Sequence, residues 1–370
     1  MNANAGRKRR VALIGPLLPY RGGIAQHTTM LHRALQQMAE LRTWSFSRQY
    51  PAWLFPGESD RDPTYEGHRE PGVSYLIDST NPLTWSKAAR QIQHFDPQTV
   101  VFPWWTIFWA PTFGYLAHRI RRAGHQIVFF CHNVVDHEAA AWKTALSRAV
   151  LRQADRFVVH THKDRERLLE LLPDAVVTVH PHPIYDQFPP PRGTLPRRRN
   201  LELLFYGFVR PYKGLDILIE AMGLLEDQDV QLTIAGEFWE GEEQIRRRIE
   251  ALGLSEHVEL CPRYHTEQET AELFARADFV VLPYRNATGS GVIPVAYHYG
   301  KPVIATRVGG LPDVVEEGRT GFLVNPDDPA ALASTIKKAG ELDREATRCN
   351  IETFKKRYNW TSLAHVIMGR

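Results

Sequence analysis

The chain has 370 residues, of which 43% are apolar and 24% are charged, and its formal net charge is +3 at pH 7. Such a composition is typical of a soluble globular protein and excludes a disordered chain, and the length predicts two domains that each bury their own core. Three cysteines without CxxC spacing indicate neither a disulfide framework nor a cysteine zinc site, so we expect a cytoplasmic protein.

The first half of the chain alternates short apolar runs with amphipathic segments. The runs predict β-strands, and residues 25–38 and 112–123 are among the segments with helical periodicity. Strands that alternate with helices in this way are typical of βαβ units with a parallel sheet. The predicted strands of this half are VALIG (11–15), TVVFPWW (99–105), QIVFFCHN (126–133), RFVVHTH (156–162) and AVVTVHP (175–181).

A proline-rich segment ends the first half. Residues 188–200 combine prolines, a glycine and arginines, which predicts a linker, and the strand and helix alternation restarts after it. We therefore predict an α/β fold of two doubly wound, Rossmann-like domains, at residues 1–187 and 201–350, that face each other across a cleft. Residues 351–370 predict an amphipathic helix that could pack back on the first domain.

Two adjacent glycines follow the first predicted strand. The segment GPLLPYRGGIAQHT (15–28) places Gly22 and Gly23 immediately before a predicted helix. Glycines there let the backbone approach a ligand closely, and the N–H groups of the first helical turn point at that ligand. This pattern predicts an anion as the ligand.

The second domain opens with a related pattern that carries positive charge. In LLFYGFVRPYKG (203–214) a strand is followed by Gly207, Arg210 and Lys213, and a helix comes next. Cations at such a turn suit a phosphate or diphosphate, although surface cations beside a helix start are as common by chance. The segments IAGE, which ends at Glu237, and VGGLPDVV (308–315) repeat the strand and glycine pattern.

The order of these pieces closely resembles the family 4 glycosyltransferases of GT-B fold. The resemblance covers nearly the whole chain and is strongest over residues 201–325, where ADFVVLPY, GKPVIAT and GGLPDVVEEGRTGFLV follow one another. It implies a retaining, hexosyltransferase-like enzyme of glycan or polysaccharide biosynthesis. Such an enzyme moves a sugar from a nucleotide-diphosphate donor to a glycan, lipid-linked or small-molecule acceptor, with no metal and no cofactor.

The resemblance also implies a role for each matching residue. Arg210 and Lys213 would hold the donor diphosphate and stabilise the charge that develops on it as the sugar leaves. His132, in the segment CHN, would contact the donor sugar. The other donor-binding positions are Gly22, Gly23, Gly207, Glu237, Thr288, Ser290, Gly291 and Val292.

One departure from the family pattern concerns the donor sugar. Most members carry two glutamates eight positions apart before the GKPV segment, for the hydroxyls of the sugar and of the ribose. Those positions are Ala287 and Val295 in this chain. Neither side chain accepts a hydrogen bond, so nearby groups such as Thr288, Ser290 or Tyr297 would have to replace them, or donor binding would be weaker.

Two clusters are candidates for the acceptor side. Trp104, Trp105 and Trp109 follow a strand end, where exposed rings could stack on a sugar, although packing in the core explains them equally well. Residues 136–138, which are Asp136, His137 and Glu138, could orient or deprotonate an acceptor hydroxyl, or they could cap a helix.

Basic clusters and histidines suggest partners. Residues 7–10, 118–122 and 197–199 are basic and could contact an anionic membrane at the inner face of the plasma membrane, or they could be solvated surface. Nucleic acid is not expected, because no binding motif accompanies these clusters. The histidines at 160, 162, 180 and 182 and the Asp-x-Asp segment at 60–62 have no supporting ligand pattern, so we predict no metal site.

Two other functions remain open from the sequence. The absent glutamates would suit a subunit that binds a nucleotide sugar without catalysis. A GT-B-like epimerase acting on UDP-sugars would need no external acceptor. Binding without turnover would identify the first, and product formation without acceptor would identify the second.

Overall fold

The computed structural model describes residues 8–51, 60–62, 65, 67–134, 141–185, 188–193, 195–225 and 228–369. It divides into two compact units. Unit 1 comprises Met1–His180 and Trp360–Arg370, and unit 2 comprises Pro181–Asn359.

The sheet of unit 1 is parallel throughout the described residues. Its spatial order is β3-β2-β1-β4-β5-β6-β7, so the order reverses between β1 and β4. The central strands β1, β4 and β5 are apolar because helices cover both of their faces. The strands are β1 (Arg10–Ile14), β2 (Glu40–Arg48), β3 (Val73–Asp78), β4 (Thr99–Trp104), β5 (Gln126–Cys131), β6 (Arg156–Val159) and β7 (Val177–Val179).

Two helices of unit 1, α2 and α5, begin at side-chain caps. The Asn81 side chain accepts a hydrogen bond from the N–H of Leu83, and Thr161 accepts one from Asp164, so each satisfies a helix N-terminus. The helices are α1 (Gly23–Met38), α2 (Pro82–Phe95), α3 (Ala110–Arg122), α4 (Ala141–Leu151) and α5 (His162–Leu171).

Unit 2 repeats this architecture. Its sheet is again parallel, in the order β10-β9-β8-β11-β12-β13, and reverses between β8 and β11. The strands are β8 (Leu201–Tyr206), β9 (Val230–Ala235), β10 (Val258–Cys261), β11 (Phe279–Leu282), β12 (Val303–Thr306) and β13 (Gly321–Val324). The helices are α6 (Leu215–Gly223), α7 (Glu242–Ala251), α8 (Glu267–Arg276), α9 (Val292–His298), α10 (Pro329–Ala339) and α11 (Arg344–Arg357).

These two sheets confirm the predicted α/β class with Rossmann-like parallel sheets. In such sheets, ligands bind outside the carboxyl ends of the strands where the strand order reverses. Candidate sites are therefore expected after β1 in unit 1 and after β8 in unit 2.

The C-terminal segment differs from the single helix predicted for residues 351–370. Helix α11 ends at Arg357, and a separate helix α12 (Trp360–Met368) follows. Helix α12 belongs to unit 1, where it packs against α1. The Arg156 guanidinium donates to the carbonyls of Val366 and Ile367 at the end of α12, which satisfies two of its terminal acceptors.

The start of α6 requires glycine at position 214. Gly214 has a φ of 65°, and a Cβ atom added there would lie 2.0 Å from the carbonyl oxygen of Pro283. Any side chain would therefore displace the backbone that joins β8 to α6. Gly253 has a similar φ of 68°, but an added Cβ would meet nothing within 4 Å.

A comparison of Gly214 with Gly253 separates the cost of a positive φ from the cost of a steric clash. We expect Gly253→Ala to lower the free energy of unfolding by about 1 kcal/mol, which is the usual cost of a left-handed residue. Gly214→Ala should lower it by a further ~1–3 kcal/mol, because the clash adds to the strain. Urea unfolding followed by tryptophan fluorescence measures both variants, and equal losses would contradict the close approach to Pro283.

Candidate functional site

Unit 2 places two cations at the carboxyl end of β8. The strand ends at Tyr206, a single 3-10 turn spans Pro211–Lys213, and α6 begins at Leu215. The N–H of Lys213 donates to the carbonyl of Arg210 at 2.9 Å, which closes this turn. Arg210 and Lys213 therefore lie beside the point where the strand order reverses.

Lys213 is a buried cation. Its side chain lies over Gly207, where an added Cβ would be 3.4 Å from the Lys213 Nζ. The Nζ also lies 5.6 Å from the ring centroid of Tyr284. Burial, together with the nearby charge of Arg210, lowers the pKa of Lys213 to about 8. The site thus holds a lysine whose charge is incompletely stabilised by the protein.

Arg210 is held by an aromatic side chain that the sequence analysis missed. The guanidinium carbon of Arg210 lies 3.5 Å from the ring centroid of Trp239, a cation–π contact. Phe208 meets the same indole edge-on at 6.0 Å. Trp239 follows Glu237 by two residues, but no motif in that loop indicates a contact with the turn after β8.

Arg285 clamps the turn from the neighbouring strand. Its backbone N–H donates to the carbonyl of Tyr212 at 2.7 Å, and its guanidinium donates to the carbonyl of Pro211 at 3.0 Å. The guanidinium also pairs with Asp216 and Asp327 at 2.5 and 2.7 Å. The positive charge of Arg285 is therefore compensated, and its role at this turn is positional.

Arg210 and Lys213 lack such compensation. Within the described ranges of the chain, neither side chain forms an ion pair with a carboxylate. Two neighbouring uncompensated cations, one of them buried, form a site that favours an anion.

A second loop approaches the same place. Gly207 lies close to Val292, since an added Cβ would be 3.8 Å from its Cγ2 atom. The N–H of Val292 donates to the Ser290 hydroxyl at 3.2 Å, so this predicted donor is already engaged within the loop. The N–H groups of Ser290 and Gly291 have no acceptor among the described residues.

The glycine after β9 packs against the glycine after β8. An added Cβ at Gly236 would lie 2.1 Å from the carbonyl oxygen of Gly207, so the two loops touch through their backbones. The next residue, Glu237, is exposed, and its carbonyl accepts the N–H of Val209 at 2.8 Å.

The positions that lack glutamate differ in burial. Val295 is buried on α9, whereas Ala287 is half-buried in the loop before it. Tyr297 is unsuited as a replacement, because its ring is buried and its hydroxyl donates to the carbonyl of Val314 at 2.9 Å. Thr288 is half-buried, and its carbonyl accepts the N–H of Gly310 at 3.0 Å.

In unit 1, α1 begins at Gly23, directly after Gly22. An added Cβ at either glycine would meet nothing within 4 Å, so the backbone there is open to a ligand. His132 follows β5, and its N–H donates to the carbonyl of Trp104 at 2.8 Å. The structure thus places Gly22, Gly23 and His132 at carboxyl ends of central strands of unit 1.

Three histidines of unit 1 come together. Ligand atoms of His27, His132 and His160 lie within 4.8 Å of one another, and the rings of His27 and His132 are 4.6 Å apart. Among the described residues, this is the group that could hold a metal ion, and an all-imidazole set suits Zn²⁺ or a similar transition metal. His162, His180 and His182 do not belong to it.

The tryptophans predicted for the acceptor side are mostly core residues. Trp104 and Trp109 are 1% and 0% exposed, so of the two alternatives these residues follow packing in the core and do not present rings to an acceptor. Trp109 lies in the short 3-10 turn (Ile107–Trp109) that follows β4, and its ring stacks on that of Phe46 with the centroids 4.2 Å apart. Trp105 is half-buried. Asp136, His137 and Glu138 lie outside the described residues.

Family models match both units. Residues 21–188 match the model described as Glycosyltransferase Family 4, and residues 200–341 match Glycosyl transferases group 1. A D-inositol 3-phosphate glycosyltransferase of Streptomyces scabiei is 33% identical over 207 residues, which are 50% of this chain and 46% of that protein. One from Catenulispora acidiphila is 33% identical over 224 residues, or 55% and 53%. The chain spans about half the length of the curated relatives it matches.

Solved structures share the fold over the whole chain. Anabaena Alr3699/HepE in complex with UDP superposes with a TM-score of 0.71 at 17% identity, covering 98% of each chain. The lipopolysaccharide outer core galactosyltransferase WaaB superposes with a TM-score of 0.73 at 15% identity, covering 97% of this chain and 99% of that one. No described helix has the length and apolarity needed to cross a membrane. The chain belongs to the family 4 glycosyltransferases, with the two Rossmann-like sheets of the GT-B fold.

Proposed function

We propose that this protein transfers a sugar from a nucleotide-diphosphate donor to an acceptor hydroxyl, with retention of configuration and without a metal ion. The observation that carries the proposal is the pair of uncompensated cations, Arg210 and Lys213, at the carboxyl end of β8. In this family the sugar donor carries a diphosphate, whose negative charge these two cations would balance.

The chemistry follows from the charge that develops on the leaving group. When the bond between the sugar and the phosphate breaks, negative charge accumulates on the diphosphate. Fixed positive groups stabilise that charge without having to reorganise. Lys213 is well suited because its buried ammonium is little screened by water. The N–H groups of Ser290 and Gly291 can add two neutral donors.

Donor identity is proposed from the relatives. One solved neighbour, the Anabaena protein, was crystallised with UDP-glucose, so uridine nucleotides are the first candidates. Because Tyr297 is engaged in the core, Thr288 and Ser290 are the groups we assign to the donor-sugar hydroxyls in place of the absent glutamates. For unit 1, the family resemblance assigns His132 to the donor sugar and the loop at Gly22 and Gly23 to the diphosphate and acceptor.

The acceptor is proposed only as a class. The relatives are named for transfer to D-inositol 3-phosphate, which is a phosphorylated polyol. We propose a hydroxyl of a glycan, a lipid-linked sugar or a small polyol as the attacking group. Incubation with a donor panel, with and without acceptors, followed by NMR of the product anomers tests transfer and retention together.

A binding subunit without catalysis is the second candidate. The apolar residues at Ala287 and Val295 favour it, because they remove two carboxylates that the family uses. Calorimetric binding of donors with neither transfer nor hydrolysis would select this candidate. An epimerised sugar nucleotide formed without acceptor would select the epimerase instead.

Removal of the Lys213 charge tests the leaving-group role. We expect Lys213→Met to lower kcat by about 10²–10³-fold, which is typical when one preorganised donor to a developing charge is lost. Lys301→Met is the matched control, since Lys301 is also a lysine of unit 2 and is half-buried. It precedes the amino end of β12, whereas Lys213 follows the carboxyl end of β8. Steady-state kinetics on both variants is the measurement, and a Lys213→Met rate within about threefold of wild type would contradict the assignment.

The lowered pKa of Lys213 predicts how nucleotide affinity depends on pH. Lys213 is protonated below its pKa of about 8 and loses its charge as the pH rises through that value. Affinity for UDP should therefore be constant from pH 7 to 7.5 and fall above pH 8, by up to about tenfold per pH unit. Arginine stays charged throughout this range, so Lys213→Arg should bind UDP with a flat profile. Isothermal titration calorimetry measures both proteins, and parallel profiles would exclude Lys213 as the titrating group.

Chelation tests the proposed independence from metals. We expect EDTA in large excess over the enzyme to leave the transfer rate unchanged, because two fixed cations serve the diphosphate. A loss of activity that Mg²⁺ or Mn²⁺ restores would contradict a metal-free mechanism. Loss restored only by Zn²⁺ would instead implicate the histidines at 27, 132 and 160.

A further inference from the structure

Three neighbouring helices of unit 1 carry no acidic residue. Helix α2 packs against α3, and α3 packs against α4. Their sequences contain lysine and arginine but neither aspartate nor glutamate. We call these three helices the basic layer. Its cations are Lys87, Arg90, Arg119, Arg121, Arg122, Lys143 and Arg148.

The cations of the basic layer are not neutralised within the part of the chain that the structure describes. None of the seven forms an ion pair with a carboxylate there. Unit 2 behaves differently: on α7, the consecutive arginines 246, 247 and 248 each pair with a glutamate. The basic layer therefore has an excess of positive charge in one place.

Helix capping does not account for this excess. Cations in the last turn of a helix stabilise its dipole, and α3 follows that rule. The same rule favours acids in the first turn, and α7 and α8 each have two. As far as the structure describes them, the first turns of α2, α3 and α4 have none, and residues 135–140, directly before α4, lie outside the described residues. The absence of acids therefore needs another cause.

The structure also distinguishes the three basic clusters in the sequence. The arginines at 197–199 are neutralised by Asp278, Glu259 and Asp229. Arg9 donates to the carbonyl of Met368, and Arg10 pairs with Asp96. The cluster at 118–122 lies on α3, where Arg121 donates to the carbonyls of Arg152 and Gln153. Arg119 and Arg122 pair with no described carboxylate, so these two cations are available to an external anionic partner.

Exposed apolar side chains identify the kind of partner. Trp142 and Leu146 lie one turn apart on α4 and are 62% and 37% exposed. Leu83, in the first turn of α2, is 79% exposed. Basic surfaces that carry exposed Trp and Leu are typical of proteins that lie on anionic bilayers, where the apolar groups enter the headgroup region.

A cavity adjoins the basic layer. Its volume is about 490 Å³, and its lining includes Arg42, Arg90 and His94 but no acidic residue. This lining suits the phosphate of a headgroup. We propose that the basic layer docks unit 1 on an anionic lipid bilayer, with Trp142 and Leu146 inserted at the interface. The proposal needs no step of sugar transfer, so it stands or fails apart from the proposed function.

Vesicle binding by the full chain tests this proposal. The probes are vesicles of phosphatidylglycerol mixed with phosphatidylcholine, and vesicles of phosphatidylcholine alone, measured by sedimentation without substrates. We expect binding to the anionic vesicles only, and loss of that binding in 0.5 M NaCl, where the Debye length is about 4 Å. Equal binding to both vesicle types, or none to either, would overturn the proposal.

Matched variants test the surface itself. The triple variant Arg119→Gln, Arg122→Gln, Arg148→Gln should weaken vesicle binding on the order of 100-fold, as expected for three cations near an anionic surface. The control with Arg246, Arg247 and Arg248 changed to Gln removes equal charge from unit 2 and should bind within about twofold of wild type. Trp142→Ala should weaken binding about tenfold without changing its salt dependence.

Three further outcomes would contradict the proposal. Equal losses in the two triple variants would mean that net charge, not the basic layer, drives binding. Unchanged vesicle binding by Trp142→Ala would show that the Trp142 side chain does not insert into the bilayer. Binding of a DNA duplex as tight as that of anionic vesicles would make nucleic acid the partner. Circular dichroism of each variant establishes that the fold is retained.

Discussion

The candidate site depends on two positive charges that unit 2 holds close together, one of them buried. Arg210 and Lys213 occupy one turn, no described carboxylate neutralises them, and the pKa of Lys213 falls to about 8 as a result of burial and of this neighbour. A protein tolerates such a pair when a ligand brings the opposite charge. Binding of a diphosphate would stabilise the ammonium, and the further charge that develops during sugar transfer would be stabilised more strongly still.

The surrounding residues keep that pair in place. Gly214 allows α6 to start against the backbone of Pro283, and Arg285 holds the carbonyls of the turn from the neighbouring strand. Trp239 covers the guanidinium of Arg210 from a third loop. Each contact joins segments that are distant in sequence, so the turn is fixed before any ligand arrives. Such preorganisation is what makes fixed charges effective at a developing charge.

Local patterns in the sequence predicted the regular elements and the charged turn, because those depend on neighbouring residues. Helix α1, for example, is predicted at 25–38 and observed at 23–38, and α3 is predicted at 112–123 and observed at 110–122. Contacts across the sheet had no such signal, which is why Trp239 and Arg285 were missed. The burial of individual side chains could not be predicted either. The aromatic residues after β4 give no local signal that the Trp109 ring is buried against Phe46. The break at Tyr358 likewise depends on where α12 packs.

A crystal structure of the protein with UDP tests most directly whether the diphosphate binds at Arg210 and Lys213. Oxygens of the β-phosphate should lie at about 2.7–3.0 Å from the Lys213 Nζ and from the Arg210 guanidinium, as in charge-assisted hydrogen bonds. A well-ordered UDP whose phosphates lie in another loop, with both cations facing solvent, would contradict the account.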